Sequence, residues 1–506
     1  MAVLLFSKYC SIIRPQTYFL KLLPPVKSNI NRISLRQQIH TQNVRPFDDI
    51  PGPKSGDPAY NHERLDKAGL EKYLKYGPIV REEVSPGNNI LLIFDTSDIE
   101  QLSLSENSYP SRRSHLAVEK FRKSRPTIYN SGGLLSTNGE EWWKLRRDFQ
   151  KGFSAPQAVR AYLPAVDEVI QEFVTAQLCQ PCEDFLPLLS RLSLQLTCLV
   201  AFDEKFDCFS PEEKRSDSRS SRLMEAASTI NSLGFVYDNV ESLRLSIWPK
   251  LEDASLFMEE VAVEFVQRKA ESLANSRQPA ENSGCVPSLF ERYLTSPNFD
   301  CKDVNGMAVD LLLAGIETTA YTASFALYHL ARNSDAQKKL QLEAQTLLQS
   351  ATQPISGDIL SEASYARAVL KEVFRMSPIS IGVGRLLNKD LVLSGYQIPK
   401  GTNVVTQNQV ACRLEKYFDR PNDFLPERWL KESPRQEKVN PFLVLPFGHG
   451  RRSCIARRLA EQQLLTFLLR VARTHCVTWN SSEPLGCISV PINKPDQPVK
   501  LVFSRL

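Results

Sequence analysis

The most concentrated chemistry in the chain lies in Pro446-Phe447-Gly448-His449-Gly450-Arg451-Arg452-Ser453-Cys454-Ile455-Ala456-Arg457-Arg458-Leu459-Ala460-Glu461. Gly448 and Gly450 can take positive φ and so permit a tight loop. Cys454 follows them, just ahead of a helical stretch that runs through Ala460 to Leu469. A sulfur in that place gains from the helix dipole and from backbone N–H groups, which favour the thiolate, the metal-ligating form of cysteine. Phe447 would shield the sulfur, and Arg452 could meet an anionic group of a cofactor. A buried structural cysteine in a glycine-rich turn is the plainer alternative.

Other segments add weight only in combination. Ala314-Gly315-Ile316-Glu317-Thr318-Thr319 interrupts an otherwise apolar helix with an acid and two hydroxyls. Such groups are costly in a buried helix unless they are satisfied or used. A threonine hydroxyl can bond back to the carbonyl four residues earlier and bend the helix, which would open a gap beside Gly315 for a small molecule. A cap or a helix–helix contact explains the segment equally well. Glu372-Val373-Phe374-Arg375 places opposite charges at i and i+3 on one helix, which is common by itself. Trp142-Trp143-Lys144-Leu145-Arg146 and the later Arg385 supply guanidiniums suited to carboxylate pairing.

The elements that must hold these residues read as mainly helical. Glu140–Lys151, Val159–Gln177, Leu256–Ala274, Val304–Arg332 and Asp335–Leu348 carry helix-like patterning, and Ile79–Val84 and Asn89–Phe94 look like short strands. Between Leu386 and Val405 the signal turns to strands, with Ser394-Gly395 and Pro399-Lys400-Gly401 as turn chemistry. Pro181, Pro211 and Ser276–Gly284 mark loops. Asp49-Ile50-Pro51-Gly52-Pro53 reads as the start of the folded body, residues 46–506, which is expected to be one large domain without internal repeats.

Charge and cysteine usage narrow the class. Met1–Arg45 holds seven Lys or Arg (Lys8, Arg14, Lys21, Lys27, Arg32, Arg36, Arg45) and no acid. Without them 55 basic residues remain against 57 acidic ones, so a nucleic-acid partner is not indicated. The serine-bearing, acid-free leader, residues 1–45, has the composition of a mitochondrial transit peptide. No apolar stretch is long enough for a transmembrane helix, which leaves a peripheral membrane contact. Eleven cysteines at irregular spacing argue against a disulfide framework. Cys179 and Cys182 form a lone C-x-x-C read as incidental, and the six histidines are not clustered.

Taken in order, from Trp142 to Cys454, these motifs resemble those of cytochrome P450 enzymes. The resemblance implies a mainly α fold with small β-sheets, a single large haem-binding domain, and a monooxygenase that uses O2. Cys454 takes the place of the axial ligand to the iron of haem b. Ala456 stands where the signature usually has glycine, a minimal change expected to leave ligation intact. Thr318 matches the residue that hydrogen-bonds dioxygen, and Glu317 the acid that relays protons. Glu372 and Arg375, with Arg428 of Phe424-Leu425-Pro426-Glu427-Arg428-Trp429, match a structural triad. Trp142, Arg146 and Arg385 match contacts of the haem propionates, while Phe447 and Arg452 belong to the cofactor loop.

The leader places the chain in the mitochondrial class of that family, served by an acidic ferredoxin and its NADPH-dependent reductase. Arg367 and Lys371, four apart on one helix face, and Arg457 and Arg458 after the cysteine match ferredoxin-binding cations. The segments 112–117, 133–139, 404–408 and 453–461 resemble insect members that hydroxylate ecdysteroids at side-chain carbon 22. A steroid substrate and a place on the matrix side of the inner membrane follow from that likeness. Ile379, Ser380, Ile381, Ala314 and Ile488 are the pocket candidates. The stretch between Pro53 and Leu65 is short for the family. A peroxide-rearranging relative or an inactive haem-binding relative are the competing readings.

Overall fold

The computed structural model describes residues 44–53, 64–85, 87–239, 243–275, 287–490 and 492–506. Residues 1–43 of the expected transit peptide, residues 54–63 of the short stretch after Pro53 and the loop 276–284 lie outside them.

One helix organises the rest. Cys301–Arg332 begins where the Asp300 carboxylate accepts the Asp303 N–H at 3.0 Å, and its residues are buried on nearly every side. A helix apolar all round must be wrapped by others. Here Leu186–Phe202, Arg219–Asn239, Arg244–Asn275 and Ser364–Met376 surround it. The C-terminal helix Arg457–Thr474 packs against Leu163–Gln177 and Ser334–Leu347. Pro46–Leu506 forms one compact unit. Among the described residues no helix is long and apolar enough to cross a membrane.

The strands are few and short. Ile79–Ser85, Asn88–Ile93, Asn403–Thr406 and Gly384–Leu386 form one sheet in that order, its middle pair parallel and its outer pairs antiparallel. Leu391–Leu393 and Tyr396–Ile398 form a hairpin. Its two turn residues, Ser394 and Gly395, have φ of 47° and 78°, the left-handed pair that a two-residue hairpin turn requires.

Two expected helices differ in extent. Val159–Gln177 is two helices, Pro156–Ala161 and Leu163–Gln177, because Pro164 supplies no N–H to continue the ladder and sits in the first turn of the second. The helix expected from Leu256 begins instead at Arg244 and tolerates Pro249 near its N-terminus.

The Glu372 motif fixes the loops beyond its helix. Glu372, Arg375 and Arg428 are all at most 1% exposed. Glu372 lies 2.9 Å from Arg375 and 3.1 Å from Arg428, and it also accepts the Trp429 indole N–H and the Leu425 N–H, each at 2.9 Å. Arg375 donates onward to the carbonyls of Cys412, Pro421 and Asp423. Removing one member of such a buried set strands the other charges at a cost of about 3–5 kcal/mol. We therefore expect Glu372→Ala to lose soluble, cofactor-binding protein on expression. A yield and unfolding midpoint equal to wild type would contradict this structural role.

Candidate active site

A mainly apolar cavity of about 440 Å³ lies between the central helix, the cysteine loop, the Gly139–Ser154 helix and the strand from Gly384. The glycine-rich loop forms as its residues suggest: Gly448 and Gly450 have φ of 71° and 65°. A Cβ at Gly450 would stand 2.6 Å from the Glu106 carboxylate, so glycine also makes room for that acid. The Cys454 N–H donates to the Phe447 carbonyl at 2.8 Å, and the Phe447 ring packs edge-on against Phe374 at 5.3 Å. Cys454 is accessible from the cavity. Protein crowding around the sulfur pushes the thiol pKa up, while the Ala456 N–H and the guanidiniums of Arg146 and Arg457 oppose that shift. Ala456 itself has φ −93° and ψ 12°, a conformation open to alanine, so the missing glycine costs no backbone strain. The helix that follows has no side-chain cap at its N-terminus, leaving its first N–H groups to the sulfur's neighbourhood.

Four arginines line the same cavity: Arg112, Arg146, Arg385 and Arg452. Arg452 donates to the carbonyls of Pro110 and Thr137 at 2.8 and 2.6 Å and to Asn138 Oδ1 at 2.7 Å, with its guanidinium 4.0 Å from the Trp142 ring centroid. Arg112 holds the Leu135 carbonyl through two N–H groups at 3.1 and 2.8 Å. Arg385 pairs with Glu106 at 2.5 Å and donates to the His449 carbonyl at 3.0 Å, and Arg146 donates to Gln150 at 2.9 Å. Burial and the neighbouring guanidiniums push Arg452 down to about 8 and Arg112 down to about 10. Asp310, the acid of the lining, is already engaged by Arg122 at 2.8 Å, and Glu106, outside the lining, by Arg385. An apolar cavity with surplus positive charge is matched by a ligand bearing carboxylates, and its thiol by a metal. Haem b, with two propionates and one iron, fits both. Sequence reading named three of these arginines for the cofactor; Arg112 declares itself only by its place in the cavity.

On the central helix the Thr318 hydroxyl does bond back, to the Ala314 carbonyl at 2.8 Å. Ser193 donates to the next carbonyl, Gly315, at 2.9 Å, and Asn231 to the preceding one, Leu313, at 3.4 Å. Three successive carbonyls thus take side-chain donors. Gly315 lines the cavity, in keeping with the gap expected beside it. A Cβ on Gly315 would meet the Thr197 hydroxyl at 2.6 Å, so this glycine also serves close packing of the two helices, both of which face the cavity. Thr318, Ala314, Ile379 and Ser380 line the cavity as expected, and Ile492 lines it where Ile488 was the candidate. Ile381 and Ile488 are not in the lining, nor is Glu317, whose carboxylate is held by Asn231 and Tyr321.

The four expected partner cations differ in kind. Lys371 is exposed and lies 5.8 Å from the Trp429 ring centroid. Arg457 is 59% exposed and pairs with Glu461 at 3.0 Å, and Arg458 is exposed. Arg367 is half-buried, with both terminal nitrogens on the carbonyls of Leu360 and Ser361 at the end of the Gly357–Glu362 helix. Among the described residues every cysteine is free, and no group of three or more His, Cys, Asp or Glu could hold a metal ion. Cys179 lies 3.2 Å from His475, while Cys182 donates to the Asp184 carbonyl.

The family model described as cytochrome P450 matches residues 62–485. This chain belongs to the cytochrome P450 family. It is therefore a haem b-dependent monooxygenase, and its relatives place it in the mitochondrial class of P450s. It is 45% identical to cytochrome P450 302a1, mitochondrial, of Drosophila melanogaster, across 92% of this chain and 96% of that protein. It is 30% identical to probable cytochrome P450 49a1 of the same fly, across 87% of this chain and 80% of the relative. The mitochondrial 1,25-dihydroxyvitamin D(3) 24-hydroxylase of Rattus norvegicus is 28% identical across 86% and 85% of the two chains.

Loss of one charge-assisted partner should weaken the hold on this P450's haem. We expect Arg112→Leu to release haem to excess apomyoglobin on the order of tenfold faster than wild type. An unchanged release rate would remove Arg112 from the cofactor cradle.

Proposed function

We propose that this P450 hydroxylates a steroid, specifically an ecdysteroid precursor at side-chain carbon 22, in moulting-hormone synthesis. The observation that carries the chemistry is that one apolar cavity brings together Cys454, Thr318 and four cofactor-facing arginines. The substrate rests on likeness. The segments Arg112–Ala117, Gly133–Gly139, Val404–Asn408 and Ser453–Glu461 resemble Disembodied, the insect ecdysteroid 22-hydroxylase, and the identity to the fly mitochondrial 302a1 protein runs over nearly its whole length.

Cys454 would ligate the iron, and Arg112, Arg146, Arg385 and Arg452 would hold the propionates, with the Trp142 ring under Arg452. Bound there, haem supplies the oxygen activation that a thiolate ligand favours. The chain's own part is to orient substrate, exclude water and manage protons. Ile379, Ala314 and Ile492 give the apolar wall for a sterol skeleton, and Ser380 adds a hydroxyl to it. Thr318 already donates its hydroxyl proton to Ala314, so its lone pairs face the cavity as acceptors that can order water. Glu317, the preceding residue, is the acid from which protons would reach that water.

Electrons come from an acidic ferredoxin and its NADPH-dependent reductase, docking on Lys371, Arg457 and Arg458. Arg367 shapes that face through the neighbouring helix end. The enzyme works on the matrix side of the inner mitochondrial membrane after removal of residues 1–45, leaving 46–506 as the monooxygenase domain. The exposed Leu74 and Leu245 suit a peripheral membrane contact. The test is product analysis with NADPH, ferredoxin reductase, ferredoxin and a 22-deoxy ecdysteroid. A 22-hydroxylated product is expected; no product from enzyme with an intact haem-thiolate spectrum would reject this substrate.

A further inference from the structure

Glu317 is 6% exposed, and a buried carboxylate must find donors or neutralise. Both of its oxygens are used. Oε2 accepts the Asn231 amide at 2.7 Å, and Oε1 accepts the Tyr321 hydroxyl in a close contact. Both donors are neutral. Burial, reinforced by the Glu317 charge, raises the Tyr321 pKa, so the phenol keeps its proton and remains a donor.

The two donors come from different places. Tyr321 is one turn further along the central helix. Asn231 belongs to Arg219–Asn239, which packs on the central helix, and its amide also reaches the Leu313 carbonyl at 3.4 Å. One side chain therefore ties the neighbouring helix both to the backbone just before Ala314 and to the acid just before Thr318. At its far end the same helix is tied down again, where Asp238 accepts the Ala117 N–H at 3.3 Å. The seat of the Arg219–Asn239 helix thus fixes where the Glu317 carboxylate can be.

We infer that Asn231 and Tyr321 are positioning residues of the monooxygenase reaction, which hold the Glu317 carboxylate beside the cavity wall, one residue from Thr318, for proton delivery. This rests on the proposed role of Glu317 as the acid. Neutral donors suit the task. An arginine or lysine partner would hold a buried carboxylate as a tight ion pair, whereas an amide and a phenol let it exchange one partner for water by side-chain rotation. With Asn231 gone, Oε2 loses its donor and the carboxylate leaves its place, so that the two electrons from the ferredoxin, with two protons taken from water, reduce oxygen to hydrogen peroxide in place of product formation.

The experiment compares Asn231→Leu, Tyr321→Phe and Glu317→Gln, and the double variant Asn231→Leu with Glu317→Gln, as haem-loaded full chains. Peroxide released per hydroxylated product is measured together with the carboxyl infrared bands, using Glu317→Gln to assign them. We expect Asn231→Leu to raise the peroxide ratio roughly tenfold and to shift the Glu317 band. In the Glu317→Gln background the same substitution should add nothing, because it acts through the acid. An equal effect in both backgrounds, or wild-type coupling and an unmoved band in Asn231→Leu and Tyr321→Phe, would overturn the inference while leaving Glu317 as the acid. Wild-type coupling in Glu317→Gln would overturn the role of Glu317 itself, and the inference with it.

Discussion

Four guanidiniums on the wall of one apolar cavity repel one another, and in a low-dielectric setting that repulsion is large. Much of the surrounding structure serves to bear it. The charges of Arg112, Arg385 and Arg452 are spread over the carbonyls of Pro110, Leu135, Thr137 and His449 and over the Asn138 side chain. The loop that presents several of these acceptors is itself pinned, because Asp310 accepts the Leu134 N–H at 2.7 Å and pairs with Arg122, which donates to the Gly132 carbonyl at 2.9 Å. Gly133 has φ +84°, and a Cβ there would lie 1.8 Å from Arg122 Nη1. Only glycine fits. What backbone dipoles leave uncompensated, the two carboxylates of haem would complete, which would link cofactor binding to stability in this fold.

The opposite arrangement stands behind the cavity, where one carboxylate, Glu372, is enclosed by two arginines, an indole N–H and a backbone N–H. It needs no ligand to be satisfied. Its helix also carries Phe374, which packs against Phe447 at the cysteine loop. The self-sufficient ion set therefore braces the loop that carries Cys454. The two charge clusters divide the labour between permanent scaffold and cofactor cradle.

Features written in short range were legible in the sequence. The glycines before Cys454, the Thr318 back-bond and the Ser394-Gly395 turn each depend on residues within one turn of chain, and each formed as read. Features that depend on distant packing were not. Asn231 meets Glu317 from 86 positions away, and nothing around Asn231 marks it. Thr197 packs close beside Gly315, a helix contact that nothing in the local sequence marks. The helix Leu186–Phe202 is apolar over most of its length, so it lacked the periodic signal that betrays a half-buried helix. Arg367 shared a face with Lys371 as its spacing required, yet its guanidinium closes a helix end, a use that no spacing rule reveals.

The central claim is that Cys454 supplies a thiolate to haem iron in the cavity walled by the four arginines. The most direct measurement is the reduced carbon monoxide difference spectrum of the purified chain beside that of Cys454→Ala. The account predicts a thiolate-type band in the wild type and its loss in the variant, with protein that remains folded by circular dichroism. A thiolate-type band that persists in folded Cys454→Ala would contradict it.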